Sequence, residues 1–125
     1  MFHLNKEKIF ILYRFYLLEK EKKRKKFLKE SSDKWLFDYL KKRDMIEKEI
    51  DENLKYHNFS NLPALEKAII SFASFELHDI KNHEYYKMIM DQVVNFSKVY
   101  LEENRYKYIN KILDLLWGEI QNSIF

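Results

Sequence analysis

The sequence predicts an all-α fold, a compact single-domain helical bundle over residues 1–125, and three observations carry that expectation. One glycine and one proline among 125 residues leave little material for hairpins, tight βα turns or phosphate-cradling loops. Apolar residues recur at helical spacing through most of the chain. Aliphatic and aromatic residues make up 46% of it, enough for a helical core without metal or disulfide staples.

The first helix centres on Ile9 to Leu18, where every residue except Arg14 is apolar or aromatic; such a run suggests a central helix contacted on several sides. A basic stretch from Lys20 to Lys29 follows, including Lys22-Lys23-Arg24-Lys25-Lys26. It reads either as a solvated, partly frayed connection or as a grip on phosphates through counterion release. Ser31, Ser32 and Asp33 offer N-caps for a second helix, with Trp35, Tyr39, Ile46, Ile50 and Leu54 on one face and Lys41, Lys48 and Lys55 opposite. Ser60 or Asn61 can cap a third helix reaching about Asp79, with Pro63 tolerated in the first turn because the amide it lacks would have no intrahelical acceptor. Leu65, Ala68, Ile69, Phe72 and Ala73 form its apolar arc, and Glu76 falls beside them. Glu76 is therefore expected to be a buried structural carboxylate, hydrogen-bonded by a helix N-terminus or a basic side chain. A fourth helix spans Tyr85 to Tyr100, with Tyr86, Ile89, Met90, Val93, Phe96, Ser97 and Tyr100 on one stripe. After a connection at 101–104, in which Asn104 can act as a cap, the fifth helix carries Ile109, Ile112, Leu113, Leu116, Trp117 and Ile120 on one face.

Several function classes are disfavoured. The chain has no cysteine, which excludes disulfides and thiolate chemistry and suits a reducing cytosol. No segment approaches the ~20 apolar residues of a membrane span, and charged residues follow Met1-Phe2-His3-Leu4 too closely for a signal peptide. A cytoplasmic protein is expected. The lone Gly118 rules out a Walker loop, a dinucleotide fingerprint and a G-x-S-x-G elbow. His3, His57, His78 and His83 make no metal-binding pair, and His78 and His83, five apart, read as ordinary loop residues. Asp51-Glu52 and Glu102-Glu103 point apart on a helix and make no acid/base pair. The expectation is a binding protein without metal, cofactor or enzymatic activity.

Leu65-Glu66-Lys67-Ala68-Ile69-Ile70, then Phe75-Glu76-Leu77, then Lys107-Tyr108-Ile109-Asn110-Lys111-Ile112-Leu113-Asp114 resemble the NusB family of bacterial antitermination factors. That family reads V-E-[KR]-A-[IVL]-L, Y-E-L and K-F-[IV]-N-G-[IV]-L-D in the same order, and Leu12-Tyr13 is similar to its N-terminal A-L-Y. The central stretch from Glu19 to Ser60 aligns loosely. The resemblance implies two small helical subbundles sharing the N-terminal helix. It also implies a transcription antitermination or ribosomal RNA transcription factor that binds the ribosomal protein NusE and, with it, boxA-type RNA in an elongation complex.

Carried over position by position, the resemblance places Tyr13 and Glu66 on the surface for NusE, although Tyr13 as core and Glu66 as a first-turn dipole partner remain open from sequence. For RNA it points to Lys107, Tyr108 and Asn110, with Arg105 beside them and Tyr100 at the preceding helix end; packing of both tyrosines within the bundle is the alternative. The family's Arg-rich opening is replaced by Phe2-His3-Leu4-Asn5-Lys6-Glu7-Lys8, so Lys6 and Lys8 are the basic substitutes there. The family's N-E-A becomes Asp91-Gln92-Val93, and Lys111 replaces a glycine. RNA cytosine methyltransferases carry a similar module, but their catalytic domain would not fit in 125 residues. Two further readings stay open: a protein-interaction module without specific RNA binding, including self-association into a homo-oligomer, and a generic nucleic-acid binder using the basic stretch alone.

Overall fold

A computed structural model describes residues 1–18, 21–55 and 57–124. Among them are six α-helices: α1 (Lys6–Leu17), α2 (Glu21–Glu30), α3 (Lys34–Glu52), α4 (Ala64–His78), α5 (Tyr86–Tyr100) and α6 (Arg105–Ile124). Short 3₁₀ segments at Phe59–Asn61 and Ile80–Tyr85 precede α4 and α5, and no strand occurs among the described residues. The all-α expectation holds.

Side-chain caps mark the starts of α1 and α3. The Asn5 side chain accepts the Glu7 amide at the head of α1, and Asp33 accepts the Leu36 amide at the head of α3, as N-caps do. Ser60 and Asn61 do not cap α4. They lie in the 3₁₀ segment, and Pro63 itself holds the cap position, with its carbonyl accepting the Lys67 amide at 3.0 Å. Asn104, just before α6, has a left-handed backbone with φ of 74°, a conformation asparagine tolerates better than most residues.

The basic stretch is not a frayed connection, because residues 21–30 form α2; Lys20 lies outside the described residues. This segment has no glycine or proline, consists mainly of good helix formers, and carries a Glu21–Lys25 pair one turn apart at 3.4 Å. It is fastened to α1 by Arg24, whose Nε donates to the Phe15 carbonyl at 3.3 Å while its guanidinium lies over the Phe15 ring.

Helix α4 is the hub. It packs against two groups of helices, α1 with α3 and α5 with α6, and residues 68–74 are buried without interruption. The apolar run from Ile9 to Leu18 predicts the first helix in this central place. Yet α1 does reach both groups: Tyr16 hydrogen-bonds Tyr39 of α3 at 2.5 Å, while Phe10 contacts the rings of Phe96 and Tyr100 of α5. What lets α4 be enclosed is small residues. Ala68, Ser71, Ala73 and Ser74 are all fully buried, which brings neighbouring helices close on faces that lack large apolar side chains.

At the α1–α3 junction the buried phenols form a polar chain. Tyr16 Oη donates to Glu47 at 2.7 Å, and Arg43 donates to the same carboxylate at 2.6 Å. Burial pushes Tyr39 up to about 12 and Tyr16 well above the ordinary phenol range, so both remain protonated and available as donors.

Ile70 lies outside the arc read from the sequence but is 0% exposed, whereas Leu65, within that arc, is half-buried. Ile70→Ala is expected to destabilise by about 2–5 kcal/mol, and Leu65→Ala by less, in paired urea titrations. Equal costs would contradict the enclosure of α4 on that side.

Candidate nucleic-acid interface

The predicted RNA residues divide among separate places. On α6, Ile109, Ile112, Leu113 and Leu116 face the core. At 100° per residue this turns Lys107 and Asn110 outward, and both are exposed. With Asp91, Val94, Asn95 and Lys98 of α5 and Tyr106 of α6, they line an open groove. Lys98 Nζ lies 5.0 Å from the centre of the Tyr106 ring.

A second depression begins where this one ends. Leu4, Lys6, Gln92, Asn95, Phe96, Val99 and Tyr100 line it, so Asn95 belongs to both. Tyr100 is 42% exposed, with its ring stacked on Phe96 at 4.4 Å and Lys6 Nζ 6.0 Å from its centre. Together the depressions form one surface across α5, with Lys6 and Tyr100 at one end and Lys107 and Asn110 at the other. Lysines beside supported aromatic rings suit a phosphate backbone with unstacked bases.

Lys98, Tyr106 and Asn95 were not singled out from the sequence. Their signal was weak, since Lys98 sits in the fourth-helix stretch and Tyr106 between two predicted residues, and only the packing of α5 on α6 brings them together. In sequence Gln92 is only a departure from the family's N-E-A. Its amide clamps the chain before α1, accepting the Leu4 amide at 2.7 Å and donating to the Phe2 carbonyl at 2.9 Å. A glutamate could not make the second bond once ionised. Gln92 thus lays residues 2–4 alongside this surface.

Lys8 is elsewhere. Its Nζ lies 5.4 Å from the Trp35 ring centre and its charge acts on Glu76, because a step of two residues turns it about 200° around α1 from Lys6. Arg105 and Tyr108 also leave the groove. Arg105 makes a bidentate ion pair with Glu66 through Nη2 and Nε, which raises the pKa of the guanidinium, and it lies 4.6 Å from the Tyr108 ring centre. The Tyr108 hydroxyl is buried without a hydrogen-bond partner, and burial pushes its pKa up despite Arg105.

The proposed partner residues are affected by the same pair. Glu66 is 5% exposed with both oxygens taken by Arg105, so at this point a partner would meet the half-buried guanidinium. Tyr13 is half-buried and shares one stripe of α1 with Lys6, Phe10 and the 52% exposed Leu17.

Glu76 is half-buried, not buried. Its partners are an indole and an amide: Trp35 Nε1 donates to Oε1 at 3.2 Å and Asn82 Nδ2 to Oε2 at 3.0 Å. Desolvation raises its pKa, opposed by the Trp35 hydrogen bond, Lys8 and Asn82. The histidines are not all loop residues. His78 ends α4 and contacts Glu49 at 3.0 Å, and His83 lies in a 3₁₀ segment with its ring against Trp117. Among the described residues no group of His, Cys, Asp and Glu could hold a metal ion, and no helix is long and apolar enough to cross a membrane.

Residues 3–116 match the NusB family. The chain is similar to the transcription antitermination protein NusB of Helicobacter pylori strain ATCC 700392 / 26695, at 31% identity over 77 residues, covering 62% of this chain and 54% of that protein. It is also similar to proteins of the same name from Campylobacter lari, at 26% identity over 62% of this chain and 57% of the relative, and Staphylococcus carnosus, at 29% over 66% and 63%. The matches thus span somewhat over half the length of these relatives. No solved structure matches the chain.

Two stability tests follow from the carboxylates. Arg105→Ala strands the buried Glu66 carboxylate and is expected to cost about 2–3 kcal/mol in chemical denaturation, with much of the loss recovered when Glu66→Gln is added; no recovery would show that the pair is not the cause. Glu76→Ala leaves the Trp35 and Asn82 donors unpaired and should lower the melting temperature. Because the folded-state pKa of Glu76 is raised, its ionisation opposes folding: wild type should gain stability relative to Glu76→Gln as pH falls from above that raised value to the ordinary carboxylate range. A parallel pair of melting curves across that window would refute the assignment.

Proposed function

Because the chain belongs to the NusB family, we propose that it is a transcription antitermination or ribosomal RNA transcription factor that binds NusE and, with it, boxA-type RNA. The observation that carries this reading is the continuous α5 surface between Lys6 and Asn110, with Tyr100 and Tyr106 placed among Lys6, Lys98 and Lys107. Phosphates would lie along the lysines while unpaired bases stack on the two rings, and Asn95 and Asn110 offer amide donors and acceptors to base edges. The chemistry is binding, with no covalent step.

NusE would dock on the α1 stripe containing Tyr13 and Leu17, near Tyr100 and the Glu66–Arg105 pair. Tyr13 offers an apolar ring with a hydroxyl at its edge, and opening the ion pair would release Arg105 toward RNA while a basic partner side chain takes Glu66. The engagement of Arg105 with Glu66 in the free protein favours a second reading, a protein-interaction module without specific RNA recognition. In either case the factor would work in the cytoplasm as part of the elongation complex.

Fluorescence anisotropy with a boxA-like RNA and a scrambled control, with and without NusE, separates these readings. Selective binding strengthened by NusE is the expected result, with Tyr100→Ala weakening it by about 1–3 kcal/mol and Lys107→Ala weakening both RNAs alike. Binding of NusE with no RNA preference under any condition would replace the proposal with the second reading.

A further inference from the structure

Helix α2 takes no part in the surface described above, and none of its residues is buried. Arg24, Phe27 and Leu28 form the side that meets the bundle: Arg24 bonds the Phe15 carbonyl, Arg14 lies 5.6 Å from the Phe27 ring centre, and Phe27 and Leu28 pack against the core. At 100° per residue the opposite side is a row of Lys22, Lys26 and Lys29, flanked by Lys23 and Lys25. All five are exposed. Lys25 pairs with Glu21, while Lys22, Lys23, Lys26 and Lys29 form no ion pair among the described residues. The row extends about 10 Å along the helix at 1.5 Å per residue.

We propose that this outward face of α2 is a sequence-independent phosphate-binding surface for single-stranded RNA, an addition that rests on the RNA-binding reading above. Three features support it. Like charges one turn apart repel each other in the free protein, and a polyanion relieves that repulsion while releasing its own counterions. The lysines stand on a helix that Arg24 fastens to α1, so their arrangement is set before the ligand arrives. A lipid surface fits less well, because both apolar residues of the central part of α2, Phe27 and Leu28, face the bundle and leave nothing apolar to enter a bilayer. The surface would hold flanking RNA without reading its bases.

The test uses the full chain with Lys22→Gln, Lys26→Gln and Lys29→Gln combined, leaving Arg24 in place, and a matched variant with arginine at the same three positions. Anisotropy of boxA-like and scrambled single-stranded RNA is followed between about 50 and 200 mM salt. The glutamine variant should lower the slope of log affinity against log salt by about 2 for both RNAs, from three contacts at ~0.7 each, with their affinity ratio unchanged. The arginine variant should keep the wild-type slope. An unaltered slope in a glutamine variant of wild-type helicity overturns the proposal even where boxA preference is intact. If the arginine variant alone folds, lysine acetylation should lower the salt slope by about 2 more in wild type than in the arginine variant, and an equal fall in the two proteins overturns the proposal. A reduced slope in a protein with no boxA preference supports the phosphate surface and sinks the selective reading, whereas no RNA binding by wild type sinks both. Binding to phosphatidylserine vesicles that the glutamine variant loses, with its RNA slope unchanged, would assign the surface to lipid and overturn the proposal.

Discussion

Everything in this bundle is arranged around the enclosure of α4. A helix buried on all sides must offer close approach on faces where a surface helix would carry long polar side chains, and Ala68, Ser71, Ala73 and Ser74 provide it. Ile69, Ile70, Phe72 and Leu77 supply the large apolar area between them. With that element in place, α1, α3, α5 and α6 pack around it, and the two groups still meet where Phe10 of α1 touches Phe96 and Tyr100 of α5.

Polar groups set the orientation that apolar packing alone would leave loose. Glu66, in the first turn of α4, is tied to Arg105 at the start of α6, while Glu76, in its last turn, is tied to Trp35 of α3 and Asn82 of the following 3₁₀ segment. The two ends of the central helix are therefore fastened to different neighbours. A buried ion pair contributes little net stability once desolvation is counted, but removal of one partner is costly. That asymmetry makes Glu66 and Arg105 a register device for α6, and through α6 a determinant of where Lys107 and Asn110 stand relative to α5.

The same arrangement sets the proposed surfaces apart. The stripe of α1 bearing Tyr13 and Leu17 meets the end of α5 through Phe10 and Tyr100, the α5–α6 groove lies between Lys98 and Asn110, and α2 turns its lysines away from the bundle. Tyr100 lies at the junction of the first two, lining both the depression with Lys6 and the one with Glu66 and Arg105. A ligand on either surface would meet this ring, which would give the two proposed binding events a physical point of contact.

Composition and periodicity determined the helical class, the face of α6 and most of the stripe of α5, because those features depend on spacing along one helix. The residues 65–70 and 107–114 also carried enough of the family pattern to point to the family. What only the tertiary structure decided were relations between helices: that α4 rather than α1 is enclosed, that Arg105 is held by Glu66, that Lys6 and Lys8 face different neighbours, and that Lys98 and Tyr106 complete the groove. The serines of α4 look solvent-compatible in one dimension, and their burial shows only when a second helix is laid against them. Likewise, the charge of Arg105 is legible at its own position, but its availability depends on a carboxylate 39 residues away, and sequence spacing carries no information about that distance in space.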